Sequence, residues 1–319
     1  MKLSFEQVKS IVFGIDHSWT DGDCIHFQRY SDDVIKCWGS LRSDFAIRAS
    51  APAGIRLDFH TDSQWFSLFP TAPAPFDVLI DGMLVQVCAW DTYENTDGKL
   101  KFPLPEGEHR VTVLFPHHSN VNIGIRELEL SDGASLRPHS YDCKILFFGD
   151  SITHGNGASS SYMSYAWRLS LALNADCRNL GVGGTFFAPS AFPHDLDFDP
   201  DIVIIAYGTN DWGFFSGPDR LELRSREFLD LVCQRFAGKK IFGLSPLWRA
   251  NHKEIRSVGT FEECCNIVKN AHREHGITLI DGATLVPNQH AFFSDGVHPN
   301  DKGHDCYARH LLLQMQPYL

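Results

Sequence analysis

A chain of 319 residues with 43% hydrophobic and 21% charged residues holds enough apolar material for a packed core and is not a disordered chain. Its 28 Lys and Arg against 39 Asp and Glu leave a formal net charge of −11, which argues against nucleic acid or an anionic membrane as the main partner, because phosphate binding concentrates positive charge. No run approaches the roughly 18 apolar residues of a membrane span, Met1 to Gln7 carries no signal-like apolar stretch, and nine cysteines without a Cys-x-x-Cys pair fit reduced thiols, so a cytoplasmic protein is expected.

In chain order, Ser4 with Gln7 three residues on predicts a capped opening helix. Ile55 to His60 alternates apolar and polar residues as a half-buried strand does. Phe76 to Ile80, Asp81-Gly82, then Met83 to Val87 reads as a hairpin, the Asp-Gly pair supplying positive φ angles. Val111 to Phe115 and Ile123 to Leu130 continue the alternation. With scarcely any helix among them, these segments predict a small antiparallel sandwich, jelly-roll-like, over residues 1–138. A short, polar, Pro-broken stretch around Arg137-Pro138 marks the boundary.

Over residues 139–319 strands and helices alternate. Strands are predicted at Cys143 to Phe148, Cys177 to Val182, Ile202 to Ala206, Lys240 to Leu244 and Ile277 to Ile280. Helices are predicted at Ser161 to Asn174, Asp219 to Ala237 (with Leu221, Phe228 and Val232 on one stripe), Phe261 to His272 and Asp301 to Gln316. That alternation is the signature of a parallel sheet flanked by helices.

Four polar clusters each follow a predicted strand: Gly149-Asp150-Ser151, Gly181-Val182-Gly183-Gly184, Gly208-Thr209-Asn210-Asp211, and Asp295-Gly296-Val297-His298. Strand C-termini of an open parallel sheet share one rim, so the clusters converge there. A serine hydroxyl needs a neutral imidazole to take its proton, and a carboxylate must fix the imidazole tautomer. Ser151, His298 and Asp295 supply these groups. The backbone N–H groups of Ser151 and Gly184 and the Asn210 amide supply donors for a tetrahedral oxyanion. Asp150, Trp212 and Trp248 are candidate substrate contacts, the two tryptophans because they lie just beyond the third and fourth strands.

These four blocks, in this order, resemble the SGNH hydrolases, also called GDSL esterases/lipases, over residues 142–319. The resemblance implies a flavodoxin-like sheet and ester hydrolysis without metal or cofactor by the residues just named. A preceding β-sandwich is similar in arrangement to the two-domain carbohydrate esterases of that family. Gly183 departs from the pattern, since many members carry serine there.

Sixteen histidines include no His-Glu-x-x-His, so no metal is expected. The expected activity is hydrolysis of small acyl esters, O-acetyl groups on a sugar or oligosaccharide foremost. Acyl transfer, lipase or thioesterase action by the same triad, and non-catalytic sugar binding, are the alternatives.

Overall fold

The computed structural model describes residues 1–88, 90–93, 97–118 and 122–319. Its first part comprises α1 (Phe5–Ile11), β1 (Val12–Phe13), β2 (His17–Asp21), β3 (Cys24–Gln28), α2 (Asp32–Leu41), α3 (Ser43–Ser50), β4 (Arg56–Thr61), β5 (Trp65–Pro70), β6 (Asp77–Ile80), β7 (Met83–Val87), β8 (Leu100–Pro103), β9 (His109–Leu114), β10 (Ile125–Leu130) and β11 (Arg137–Pro138). Two antiparallel sheets, ordered β2-β3-β10-β5-β8 and β1-β4-β9-β6-β7, enclose one apolar core. Phe27, Phe66, Leu68 and Leu128 enter it from one sheet and Leu57, Phe59, Val78 and Val111 from the other. The opening helix carries its capping box, and Asp81 and Gly82 turn the β6–β7 hairpin at φ 50° and 79°.

The second part contains β12 (Cys143–Gly149), α4 (Ser151–His154), α5 (Tyr165–Ala172), β13 (Ala175–Gly181), β14 (Ile202–Ala206), α6 (Asp211–Phe214), α7 (Pro218–Arg235), β15 (Lys240–Leu244), β16 (Ile255–Arg256), β17 (Gly259–Thr260), α8 (Phe261–Glu274), β18 (Thr278–Ile280) and α9 (Asp301–Met315). Five parallel strands run β13-β12-β14-β15-β18, the doubly wound order whose switch point falls between the first and third strands in sequence. Gly149 pairs with Gly181 on one side and Ala206 on the other, so the three strands end level. Val203 and Ile205 of β14 face one core while Ile202 and Ile204 face another, which is why this strand reads as an unbroken apolar run. No helix among the described residues is long and apolar enough to cross a membrane.

Two expectations require correction. Residues 32–50 form helices where the sequence reading saw scarcely any. Ser31 caps α2 by accepting from Val34 N, and Arg42 in extended conformation breaks it from α3. Val34, Trp38, Phe45 and Ala49 do not join the sandwich core. They pack with Leu146, Phe148, Leu180 and Phe186 on one face of the parallel sheet. The polar face of β4 is likewise not solvated: Arg56 and Asp58 are fully buried. Arg56 pairs with Asp176 at 2.7 Å and Asp58 with Arg110 at 2.7 Å, while Tyr141 Oη reaches both Arg56 and Asp58. Charges taken out of water persist only when paired and hydrogen-bonded, as these are.

Arg29 makes a further junction. Its guanidinium, 1% exposed, donates to Ala51 O (2.7 Å), Arg48 O (2.8 Å), Asn179 O (2.9 Å) and Gly181 O (2.7 Å). Tyr30 Oη donates to Leu180 O beside it. The end of α3 is thereby tied to the end of β13. Because α2 and α3 enter the sheet's own core, Trp38→Ala should lower the free energy of unfolding by about 3–5 kcal/mol. Urea denaturation measures this, and a loss below about 1 kcal/mol would show that these helices do not belong to that core.

Candidate active site

Strand β12 delivers Asp150 and Ser151 to the rim. Asp150 accepts from Ile152 N at 2.9 Å and so caps α4, placing Ser151 first in that helix. The turn is tight: a Cβ on Gly149 would lie 2.1 Å from Thr153 Oγ1. At the end of β13 Asn179 accepts from Gly181 N and donates to Thr153 O, both at 2.8 Å. The chain then turns through Gly184 at φ 82°, a left-handed conformation that glycine adopts without steric cost. After β14, Asp211 accepts from Gly208 N (2.9 Å) and Phe187 N (3.0 Å), fixing this loop to the previous one. Asn210 donates one amide hydrogen to Thr185 O at 2.9 Å and keeps a second.

The fourth cluster is a turn closed by Ser294 N donating to His298 O. Asp295 Oδ1 accepts from the backbone N–H of Val297 (2.9 Å) and His298 (2.8 Å), and Oδ2 lies 2.7 Å from His298 Nδ1. His298 Nε2 lies 2.8 Å from Ser151 Oγ across 147 positions of chain. An ionised carboxylate only accepts, so Nδ1 carries the ring proton and Nε2 is left to accept from the serine. Partial burial pushes the Asp295 carboxyl up, but hydrogen bonds from His298 and Val297 outweigh it and hold the group below the usual carboxylate range. Gly157 lets the α4–α5 connection approach this turn, since a Cβ there would sit 2.2 Å from Pro299 O.

A cleft of about 380 Å³ opens at this rim. Ser151, His298, Gly184 and Asn210 all line it, together with Arg48, Ala51, His118, His154, Asn156 and Gly183. No aromatic ring other than imidazole and no long aliphatic chain is among these residues. His154 stands behind the glycine turn. Its Nε2 donates to His117 O (2.6 Å), and its Nδ1 accepts from Gly183 N (3.2 Å). Burial, reinforced by the nearby Arg29 cation, pushes its pKa well below the imidazole range, matching the neutral tautomer those bonds require. Desolvation against its neighbours, then the charges of His298 and Arg48, lower His118 as well.

The sequence reading missed Arg48, Ala51, His118, His154 and Asn156. His154 carries a local signal, since it follows Ser151 by three residues on one helix, whereas Arg48 and Ala51 arrive from helices that were themselves missed. The three candidate substrate contacts, Asp150, Trp212 and Trp248, lie outside the lining of this cleft. Trp212 is fully buried, donating from Nε1 to Gly259 O at 2.8 Å beneath the guanidinium groups of Arg249 and Arg256. Trp248 packs on Phe293 and His290 and lines a different groove, with Pro246 and Phe261. Asp150 is 2% exposed and sits behind the nucleophile position, away from the cleft lining. Among the described residues no three His, Cys, Asp or Glu side chains gather as a metal-holding group.

A sequence model described as the GDSL-like lipase/acylhydrolase family matches residues 147–306. No curated protein sequence matches. Among solved structures, a salicylyl-acyltransferase from a tetracycline biosynthetic pathway is similar at TM-score 0.77 and 20% identity, over 96% of this chain and 94% of that one. A family two carbohydrate esterase from Cellvibrio japonicus is similar at TM-score 0.68 and 15% identity, over 99% and 97%. Another from Clostridium thermocellum, in complex with cellohexaose, is similar at TM-score 0.64 and 18% identity, over 84% and 93%.

Burial raises the Asp150 and Asp211 carboxyls from 3.8 to about 7 each. A group whose pKa is higher folded than unfolded stabilises fully below the unfolded value, and that contribution is lost as pH rises through the folded one. The contribution of these two carboxyls is therefore lost between about pH 4 and pH 7, against the opposite trend of His117, His154, His272 and His304, whose burial lowers their pKa values and costs stability as pH falls. Asp150→Asn, which keeps an acceptor for Ile152 N, should gain several degrees of melting temperature relative to wild type between about pH 4 and pH 8; a difference between the two proteins that does not change with pH would show that Asp150 does not titrate there.

Proposed function

The chain belongs to the GDSL-like lipase/acylhydrolase family, and from that premise we propose that it is a serine esterase removing small acyl groups, O-acetyl foremost, from a carbohydrate. The observation that carries this reading is the continuous Asp295–His298–Ser151 relay at 2.7 and 2.8 Å, opening on a cleft that Gly184 and Asn210 also line. The support for a sugar as the alcohol is the polar cleft and the carbohydrate esterases of like fold. The support for a small acyl group is that, among the described residues, no long aliphatic or aryl side chain lines the cleft around Ser151.

In this reading Ser151 Oγ attacks the ester carbonyl carbon as His298 Nε2 takes its proton. The carbonyl oxygen becomes an oxyanion and receives hydrogen bonds from the N–H groups of Ser151 and Gly184 and from the free Asn210 amide hydrogen. Collapse breaks the carbon–oxygen bond to the sugar, and the His298 imidazolium returns its proton to the departing alkoxide. Water then attacks the acyl-serine with His298 again as base, freeing the acid and regenerating Ser151. Asp295 holds the ring in the working tautomer and stabilises its charged form. Acyl transfer differs only in the last nucleophile, an acceptor alcohol in place of water. The acyltransferase of like fold keeps that as the second reading.

Ser151→Ala should lower kcat for acetate release from acetylated sugars by about 10⁴–10⁶ while leaving thermal unfolding unchanged. A loss under about tenfold would remove Ser151 from the nucleophile role. Asn210→Ala should cost about 10²–10³ in kcat with little change in KM; an unaltered kcat would exclude its amide from oxyanion stabilisation. Wild-type release to acceptor alcohols exceeding release to water would favour the transferase reading.

A further inference from the structure

The cleft wall opposite His298 carries charge that ester hydrolysis alone does not require. Arg48 Nη1 donates to Gly183 O at 2.8 Å, and its Nη2 pairs with Asp44 Oδ2 at 2.7 Å. Arg42 grips the same carboxylate with two nitrogens, each at 2.6 Å. Two guanidinium groups thus share one carboxylate, leaving about one net positive charge beside Gly183 and Gly184, in a chain whose net charge is −11. His118, on the same wall, feels that charge.

Holding a carbonyl does not explain this exposure. Arg29 holds four carbonyls in the same neighbourhood and is 1% exposed, whereas the Arg48 side chain remains 39% exposed and lines the cleft. Glycine at 183 makes room for it, since a Cβ there would come within 3.2 Å of Arg48 Cδ. With two of five N–H groups engaged in the bonds above, the guanidinium retains donors in the planar fork that matches a carboxylate.

We propose that Arg48, backed by Arg42, makes the cleft selective for esters that also carry a carboxylate, either on the sugar or on the acyl group. This rests on the esterase reading and narrows its substrate class.

The test measures binding by calorimetry in a Ser151→Ala background, so that no turnover intervenes. Three probes are used: an O-acetylated glucuronic acid, its neutral methyl ester, and a glucose hemisuccinate ester. At least one charged probe should bind about tenfold tighter than the neutral one at low salt, with the gap narrowing as salt is raised. The tighter charged probe identifies which side of the ester carries the carboxylate. Arg48→Gln should remove the gap, and Arg48→Lys should keep most of it, each variant being checked for folding by circular dichroism. Equal affinities, no binding of any probe, or a gap that survives Arg48→Gln would overturn the proposal. Acetate release by protein with Ser151 intact separates the two readings. An active esterase without charge preference overturns only the selectivity, and a charge-selective binder without esterase activity overturns only the hydrolysis.

Discussion

Arg29 spreads one buried guanidinium over four main-chain oxygens, two at the end of α3 and two at the end of β13. Burial lowers its pKa to about 10, so it stays a cation at neutral pH, solvated by carbonyl dipoles in place of water. An unpaired charge in an apolar interior costs far more than any single packing contact supplies, so the four oxygens are obliged to converge. Everything on the Gly184 side of the cleft inherits its position from that convergence. The strand end sets where the Gly183–Gly184 turn begins, and the helix end sets where Arg48 stands.

The rim is thus assembled from two kinds of support. On the Ser151 side the parallel sheet holds the groups through backbone contacts: level strand ends, Asn179 bridging Thr153 and Gly181, and Asp211 bridging the loops after β13 and β14. On the other side the groups arrive on α3 and on the segment after β9, parts of the chain whose strands belong to the sandwich. Two carboxyls buried near this rim, Asp150 and Asp211, are spent on backbone N–H groups, so neither offers charge to the cleft. Asp295 is committed to His298. Among the described residues no acidic side chain lines the cleft, whereas Arg48 does.

The parallel half was legible because its strands are uninterrupted apolar runs and its helices carry wide stripes, Leu221 to Val232 being the clearest. The meeting of these residues at one rim was legible because Ser151, Asn210 and the Asp295–His298 turn each follow a strand, and strand ends must meet. Helices α2 and α3 were not. They are short, separated by one extended residue, Arg42, and bury only Val34, Trp38, Phe45 and Ala49, too few for a periodicity to stand out. The burial of Arg56 and Asp58 was equally hidden, since alternation reveals which side chains share a face but not whether that face meets water or another layer. Trp212 misled for a similar reason. It is two residues past Asn210, and on α6 that offset turns the ring away from the rim and into the interior.

The span of 147 residues between Ser151 and His298 also bears on how the molecule is made. A ribosome adding roughly 5–20 residues each second exposes the hydroxyl many seconds before the imidazole exists. During that interval the serine is an ordinary alcohol, with no group to take its proton. On the reading proposed above, a nascent chain therefore meets the esters around it as an inert polymer, and reactivity arrives only when the late turn docks against the finished sheet.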